Sequence, residues 1–345
     1  MRDRLISYVK ELTLNKPGGE EYRSRALDIY DGEIAKGTAP EAAMGLAIAS
    51  LGAPLVPAEP SPEAKPGQSS RGRDFTIGDN RWKIRGEVRA IRVNYSYGKV
   101  FLRQHSGTDT VVFEKNLGET AEPARFTFEK GILAIDFNGK KTVRRSLEGI
   151  KDVFAPQRCL EILVPARMAS GLMEIKLASQ SADFSVTNLS AEVFECETAS
   201  GDASVAYCAF ESAIFSSSGG EWSSKYTDIG DLDLDTSGGD CDVRGGVKRI
   251  SFESASGDLH AVFAYAPEEL SFSSASGVCK LYLPESASFT LNLKTVSGRA
   301  KVEGFDGFYL GSGAERKYIC GKSGGEYAIS TASGNVGVYV NRGIR

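Results

Sequence analysis

From Leu172 to Val340 apolar and polar positions alternate in short runs of period two, each run broken by a turn of small residues. The turn repeats a phrase: Thr198-Ala199-Ser200-Gly201-Asp202, Ser254-Ala255-Ser256-Gly257-Asp258, Ser274-Ala275-Ser276-Gly277, Thr295-Val296-Ser297-Gly298 and Thr331-Ala332-Ser333-Gly334. Double-glycine variants stand at Ser218-Gly219-Gly220-Glu221 and Ser237-Gly238-Gly239-Asp240. The pivot glycines step by 19, 19, 18, 20 and 21 residues from Gly201 to Gly298, then by 36 to Gly334. Ala182 fills the slot 19 residues before Gly201. Two, four and six residues after the pivot come Ala203, Val205, Tyr207; Leu259, Ala261, Phe263; Cys279, Leu281, Leu283; and Val336, Val338, Val340. Seven and five before it come pairs such as Leu232/Leu234, Ile250/Phe252 and Leu291/Leu293. Both sets predict inward-facing positions on a strand, a turn and a second strand.

A period near 19 residues predicts a mainly β protein, a parallel β-solenoid of about nine coils over residues 172–340. Successive coils would stack at about 4.8 Å, giving roughly 40 Å of height. Three residues before each pivot stands Ser or Thr (Thr198, Ser217, Thr236, Ser254, Ser274, Thr295, Thr331). Its parity turns it inward, which predicts a hydroxyl ladder bonded to itself or to the turn backbone. Between Arg299 and Gly324 the register is lost, and a degenerate or bulged coil is expected there.

Ahead of the regular coils the pattern changes twice. Leu5, Tyr8, Val9 and Leu12, then Tyr22, Ala26, Ile29 and Tyr30, then Met44, Ile48 and Leu51 each line one helical face, a three-helix module over residues 1–54. Residues 55–73 carry Pro57, Pro60, Pro62 and Pro66 and read as an extended tether. From Trp82 short alternating runs such as Ile91-Arg92-Val93 and Leu133-Ala134-Ile135 predict an irregular β-rich lead-in, with a hairpin signal at Asn138-Gly139.

The Ser-Gly-Asp coils with this lead-in resemble the bacterial putative-adhesin domain of unknown function, over about residues 81–345. That resemblance implies a β-solenoid and brings no catalytic residues with it. The stretch Leu27-Asp28-Ile29-Tyr30-Asp31 with Glu33, Gly37 and Leu51-Gly52-Ala53-Pro54 is similar to the HAAS-type helical signalling domain. Together the two resemblances imply a role in bacterial envelope sensing or adhesion-like binding.

Charge is unevenly spread. Residues 71–151 hold 17 basic against 10 acidic side chains, a net +7, while residues 152–345 hold 16 against 25, a net −9. Matching within one molecule or a solvated surface accounts for this, and a face for an anionic membrane or polymer is the sharper reading. No basic motif interleaved with aromatics points to nucleic acid. The six cysteines form no Cys-x-x-Cys pair, and Cys241 and Cys279 share a slot with the Leu259 coil between them. That places them roughly 9–10 Å apart, beyond disulfide reach. Free thiols and the absence of an apolar leader after Met1 predict the cytoplasm or the cytoplasmic face of the membrane, with non-classical export to the cell surface as the alternative.

His105 and His260 have no nucleophile or ligand partner at a chemical spacing, and no phosphate-binding Gly-x-x-x-x-Gly-Lys-Ser/Thr loop occurs. The constellation left is the position after the pivot. Asp183, Asp202, Glu221, Asp240 and Asp258 fall in successive coils and should form a carboxylate column. It could bind calcium or act like the clustered acids of polysaccharide-cleaving β-helices, or the acids could simply suit a solvated turn. The expected function is a non-enzymatic interaction scaffold without cofactor, its partner a protein or envelope component. The alternatives are a carbohydrate-active β-helix enzyme and a calcium-binding surface protein.

Overall fold

The computed structural model describes residues 27, 28, 31, 35, 75–78, 81–116, 122–139, 157–312, 314–322 and 324–342. Packing divides the chain into two units, Met1–Arg71 and Gly72–Arg345. The three-helix module, its HAAS-like resemblance and the tether lie outside the described residues, except that Leu27, Asp28, Asp31 and Ala35 are helical.

The second unit is mainly β. Among the described residues its 24 strands join in one nearly closed, barrel-like sheet of mixed strand order. Each repeat contributes a leading strand before the Ser-Gly turn and a trailing strand after it, because period-two alternation puts every second side chain on the core. Leading strands pair in parallel at the repeat offset, as Phe194 with Ala213, Leu232 and then Ile250. Trailing strands do likewise, as Cys241 with Leu259 and then Cys279. Inward positions form columns: Phe252 and Phe272 stack at 5.1 Å with rings 3° from parallel. Leu259, Leu281, Leu234 and Val338 are likewise buried, each such side chain contributing about 1.5–3 kcal/mol.

The turn chemistry is uniform. Thr198 Oγ1 accepts the Gly201 N–H at 2.9 Å, Thr236 that of Gly239 at 2.8 Å, Ser274 that of Gly277 at 2.8 Å and Thr331 that of Gly334 at 2.9 Å. The hydroxyl ladder is therefore bonded to the turn backbone. The pivot itself must lack a side chain. A Cβ on Gly201, Gly220, Gly239, Gly257 or Gly277 would overlap the carbonyl oxygen of the pivot one coil away.

A sequential solenoid is not what forms. The last coil, strands Gly325–Thr331 and Val336–Val340, sits between the coil of Gly277 and that of Gly298. The chain reaches outward at Gly298, turns through the antiparallel pair Gly307–Ser312 and Glu315–Cys320, and returns inside its own outer coil. The 36-residue step is that excursion, in place of the degenerate coil expected. The other end mirrors it. Strands Ala90–Tyr95 and Tyr97–His105 lie inside Ile132–Phe137 and Cys159–Pro165, although they come first in the chain. Antiparallel strands then cover Cys159–Pro165 (Thr110–Lys115, with Arg81–Ile84 beyond) and Ile132–Phe137 (Arg125–Glu129). Antiparallel strands thus cover both ladders at the lead-in end, and Glu315–Cys320 covers the leading-strand ladder at Phe289–Thr295 at the other. A tight hairpin turn among the described residues is Lys130-Gly131, both at positive φ (51° and 81°), while the residues that would follow a turn at Asn138-Gly139 lie outside the described ones.

The lead-in also contains a buried ion pair. Arg158 meets Glu114 with both side chains almost fully inaccessible, and its Nε also donates to the Tyr95 hydroxyl at 2.9 Å. Burial, first, and the Glu114 carboxylate push the Tyr95 phenol well above its ordinary range.

Candidate functional surface

The five acids do form a column, and its geometry assigns their oxygens. Asp202 Oδ1 accepts the Glu221 N–H at 2.9 Å, Asp240 Oδ1 that of Asp258 at 2.9 Å and Asp258 Oδ1 that of Val278 at 2.7 Å. Asp183 reaches the Asp202 N–H at 3.3 Å. Each aspartate thereby ties its turn to the next coil. Asn335 does the same for Arg299 at 2.9 Å, so the role needs an Asx side chain and not a charge. Glu221 is the one member for which no such bond is found. Among the described residues no group of three or more His, Cys, Asp or Glu side chains is placed to hold a metal.

A different feature stands out at the corner where trailing strands pass into leading strands. Six residues after the pivot the register predicts an inward side chain, and Phe263, Leu283 and Val340 obey. Tyr207 does not. It is exposed, its backbone left-handed at φ 55°, as are Asn188 (55°) and Tyr226 (54°) at the same position of the adjacent coils. Asn suits that conformation and tyrosine does not, so each tyrosine holds it at a cost of about 1–3 kcal/mol. The two rings stack at 5.2 Å between centroids, 15° from parallel.

The row ends abruptly. The next strand pairs Arg244 with Lys225 and Gly245 with Thr227, which leaves Tyr226 as a bulge without a counterpart. This is the structural meaning of the 18-residue step between Gly239 and Gly257. A third tyrosine closes the corner. Tyr265 lies across Gly246, where any Cβ would overlap its ring, and donates to Asp228 Oδ1 at 2.7 Å. Burial and that carboxylate raise its phenol pKa. The cost of this coil is not only in the backbone. Three of the four buried side-chain atoms without a hydrogen-bond partner among the described residues are Trp222 Nε1, Ser224 Oγ and Thr227 Oγ1, all within four residues of Tyr226.

Asp228 also lines a groove of about 790 Å³ that runs on from the corner. Its charged walls are Glu192, Glu211, Asp228, Asp231 and Glu268 against Lys248 and Arg249. Arg249 is held by Asp231, a bidentate contact that keeps the Asp231 carboxyl below its ordinary range. Parity along the sequence assigns Tyr207 inward and so misses this corner. The available signal was Asn188, a turn-forming residue in the same register.

The remaining candidates are accounted for locally. His105 Nδ1 accepts the Gly107 N–H at 3.2 Å and its Nε2 meets Asp109 O at 2.9 Å. His260 lies 3.5 Å from Asp242, which also holds Arg244, and its ring meets the edge of Tyr282. All six cysteines are free, and Cys241 and Cys279 flank Leu259 as expected. No helix among the described residues is long and apolar enough to cross a membrane.

The family model for Toastrack DUF4097 matches residues 91–339. Among solved structures the chain is similar to a putative adhesin from Parabacteroides distasonis, at 13% identity, covering 74% of this chain and 94% of that one with a TM-score of 0.44. A putative adhesin from Bacteroides fragilis is similar at 13% identity, with 73% and 93% covered and a TM-score of 0.41. A putative cell adhesion protein from Clostridium sporogenes is similar at 12% identity, with 74% and 93% covered and a TM-score of 0.22. No curated protein matches. The cytoplasmic location expected from the thiols is corrected here, since these structures are described as two putative adhesins and a putative cell adhesion protein. The thiols do not oppose the correction. Cys241 and Cys279 stay unpaired in any compartment because a whole coil separates them.

Proposed function

The chain belongs to the Toastrack DUF4097 family, and on that premise we propose that it is a non-enzymatic interaction protein of the bacterial cell envelope, a rigid solenoid-like body that docks a partner on its outer surface. One observation carries this reading. On a body whose turns and columns are otherwise satisfied rung by rung, strain and unpartnered polar atoms gather at one exposed aromatic corner beside a groove. Local conflicts of that kind belong to sites under functional demand. Four of the five acids considered for cleavage or calcium binding, Asp183, Asp202, Asp240 and Asp258, are engaged as Asx links between coils, which favours a scaffold over the enzyme reading.

The test is sedimentation of the labelled full chain with washed bacterial envelopes. Saturable retention without release of soluble fragments is expected. Absence of saturable binding would sink the interaction role, and catalytic release of sugar or peptide fragments would restore the enzyme reading.

A further inference from the structure

We propose that the left-handed tyrosine corner is a binding subsite for a neutral glycan chain. The inference takes the interaction role above as its setting and draws its chemistry from the corner alone. Tyr226 has Tyr207 stacked on one ring face at 5.2 Å, and the adjacent coil on the other side supplies no residue at that rung. Among the described residues no second ring stacks on Tyr226, and Arg244 of the next coil interacts electrostatically with its phenol. Tyr226 is 67% exposed against 41% for Tyr207, as expected of the end of a stacked row.

A pyranose ring presents a flank of C–H groups that rests on such a face, while hydroxyls around its rim seek acceptors and donors. The corner provides both. Asp228 stands two residues beyond Tyr226 with its Oδ1 bonded to the Tyr265 hydroxyl, and the groove leading from it offers Glu211, Glu192 and Lys248. Five carboxylates against two cations would repel an anionic glycan, so an uncharged chain fits. A purely apolar partner would leave these carboxylates desolvated and unpaired.

The backbone gives the reason to look for a ligand at all. Asn188 holds the same left-handed conformation at this position one coil before Tyr207. A residue suited to the conformation was thus available at this register, and tyrosine stands there twice. Strain retained at an exposed ring has no use in packing. It has one in presenting the ring outward.

The experiment is calorimetric titration of the full chain with hexamers of β-1,4-linked glucose and of β-1,4-linked N-acetylglucosamine, with a galacturonate hexamer for comparison. One neutral hexamer should bind, galacturonate at least about tenfold more weakly. Tyr226→Gly should weaken binding by about tenfold or more while its thermal midpoint stays level or rises, because glycine adopts the left-handed backbone freely. Lack of binding by both neutral hexamers, galacturonate binding as tightly, undiminished binding by Tyr226→Gly, or a midpoint lowered by several degrees would each overturn the subsite. Envelope retention that persists in Tyr226→Gly and under excess hexamer would overturn it too, while leaving the interaction role in place.

Discussion

A methyl group on Gly239 would overlap the carbonyl oxygen of Gly220, whereas one on Gly219 meets nothing within 4 Å. The two glycines are 20 residues apart in near-identical phrases, yet only one is a pivot. Gly239→Ala is expected to destabilise by about 3 kcal/mol, since the coil spacing must open to admit the side chain. Gly219→Ala should stay within about 0.5 kcal/mol, as for an open surface site. Denaturant unfolding of the pair checks this, and equal stabilities would refute the pivot assignment. At Asp202 the question is charge against hydrogen bond. Asn keeps an oxygen for the Glu221 N–H and Ala does not. Asp202→Asn is therefore expected to unfold like the parent, and Asp202→Ala to lose about 1 kcal/mol. If the column instead served calcium, the metal would raise the melting temperature and Asp202→Asn would abolish the rise. No such rise is expected.

At the scale of elements, one strand shows how alternation, column packing and stability connect. In Cys279–Leu283 the burial runs buried, exposed, buried, intermediate, buried, with Leu281 fully enclosed and Lys280 in solvent. Leu281→Asp places an uncompensated carboxylate in a core column and should cost several kcal/mol, enough to unfold the domain. Lys280→Asp, one residue away, should change stability by about 0.5 kcal/mol or less. Thermal melts compare them directly, and a tolerated Leu281→Asp would falsify the inward register.

For the molecule as a whole, burial sets the thiol chemistry. It pushes the Cys208 thiol up to about 11 and the Cys241 thiol up to about 12, far above the free thiol's range. A thiolate-directed reagent should therefore label these two little in the native chain at pH 8. After denaturation without reductant, titration should count six thiols per chain. A count near two or zero would mean disulfides that the stacked register does not allow. The charge asymmetry also takes on a physical shape at this scale. The described residues of the basic segment lie at the lead-in end of the ladders, where Arg92 binds Glu174 bidentately and holds that carboxyl below its ordinary range. Part of the opposite charge is thus matched within the domain.

Local patterns settled much of this protein from the sequence alone. The period near 19 residues gave the strand-turn-strand repeat, the inward columns, the hydroxyl at the turn and the spacing of Cys241 and Cys279, because each depends on contacts between neighbouring repeats. The order of coils was not legible. A parallel ladder accepts a strand of suitable pattern whatever its place in the chain, so nothing local says that Gly325–Val340 inserts inside the coil of Gly298. The tyrosine corner was hidden for a related reason. Parity assumes extended backbone, and a single left-handed residue at Tyr207 or Tyr226 turns an expected core side chain into an exposed one. Only the stacked neighbours on either side, Asn188 before and the missing rung after, decide that the chain bends there.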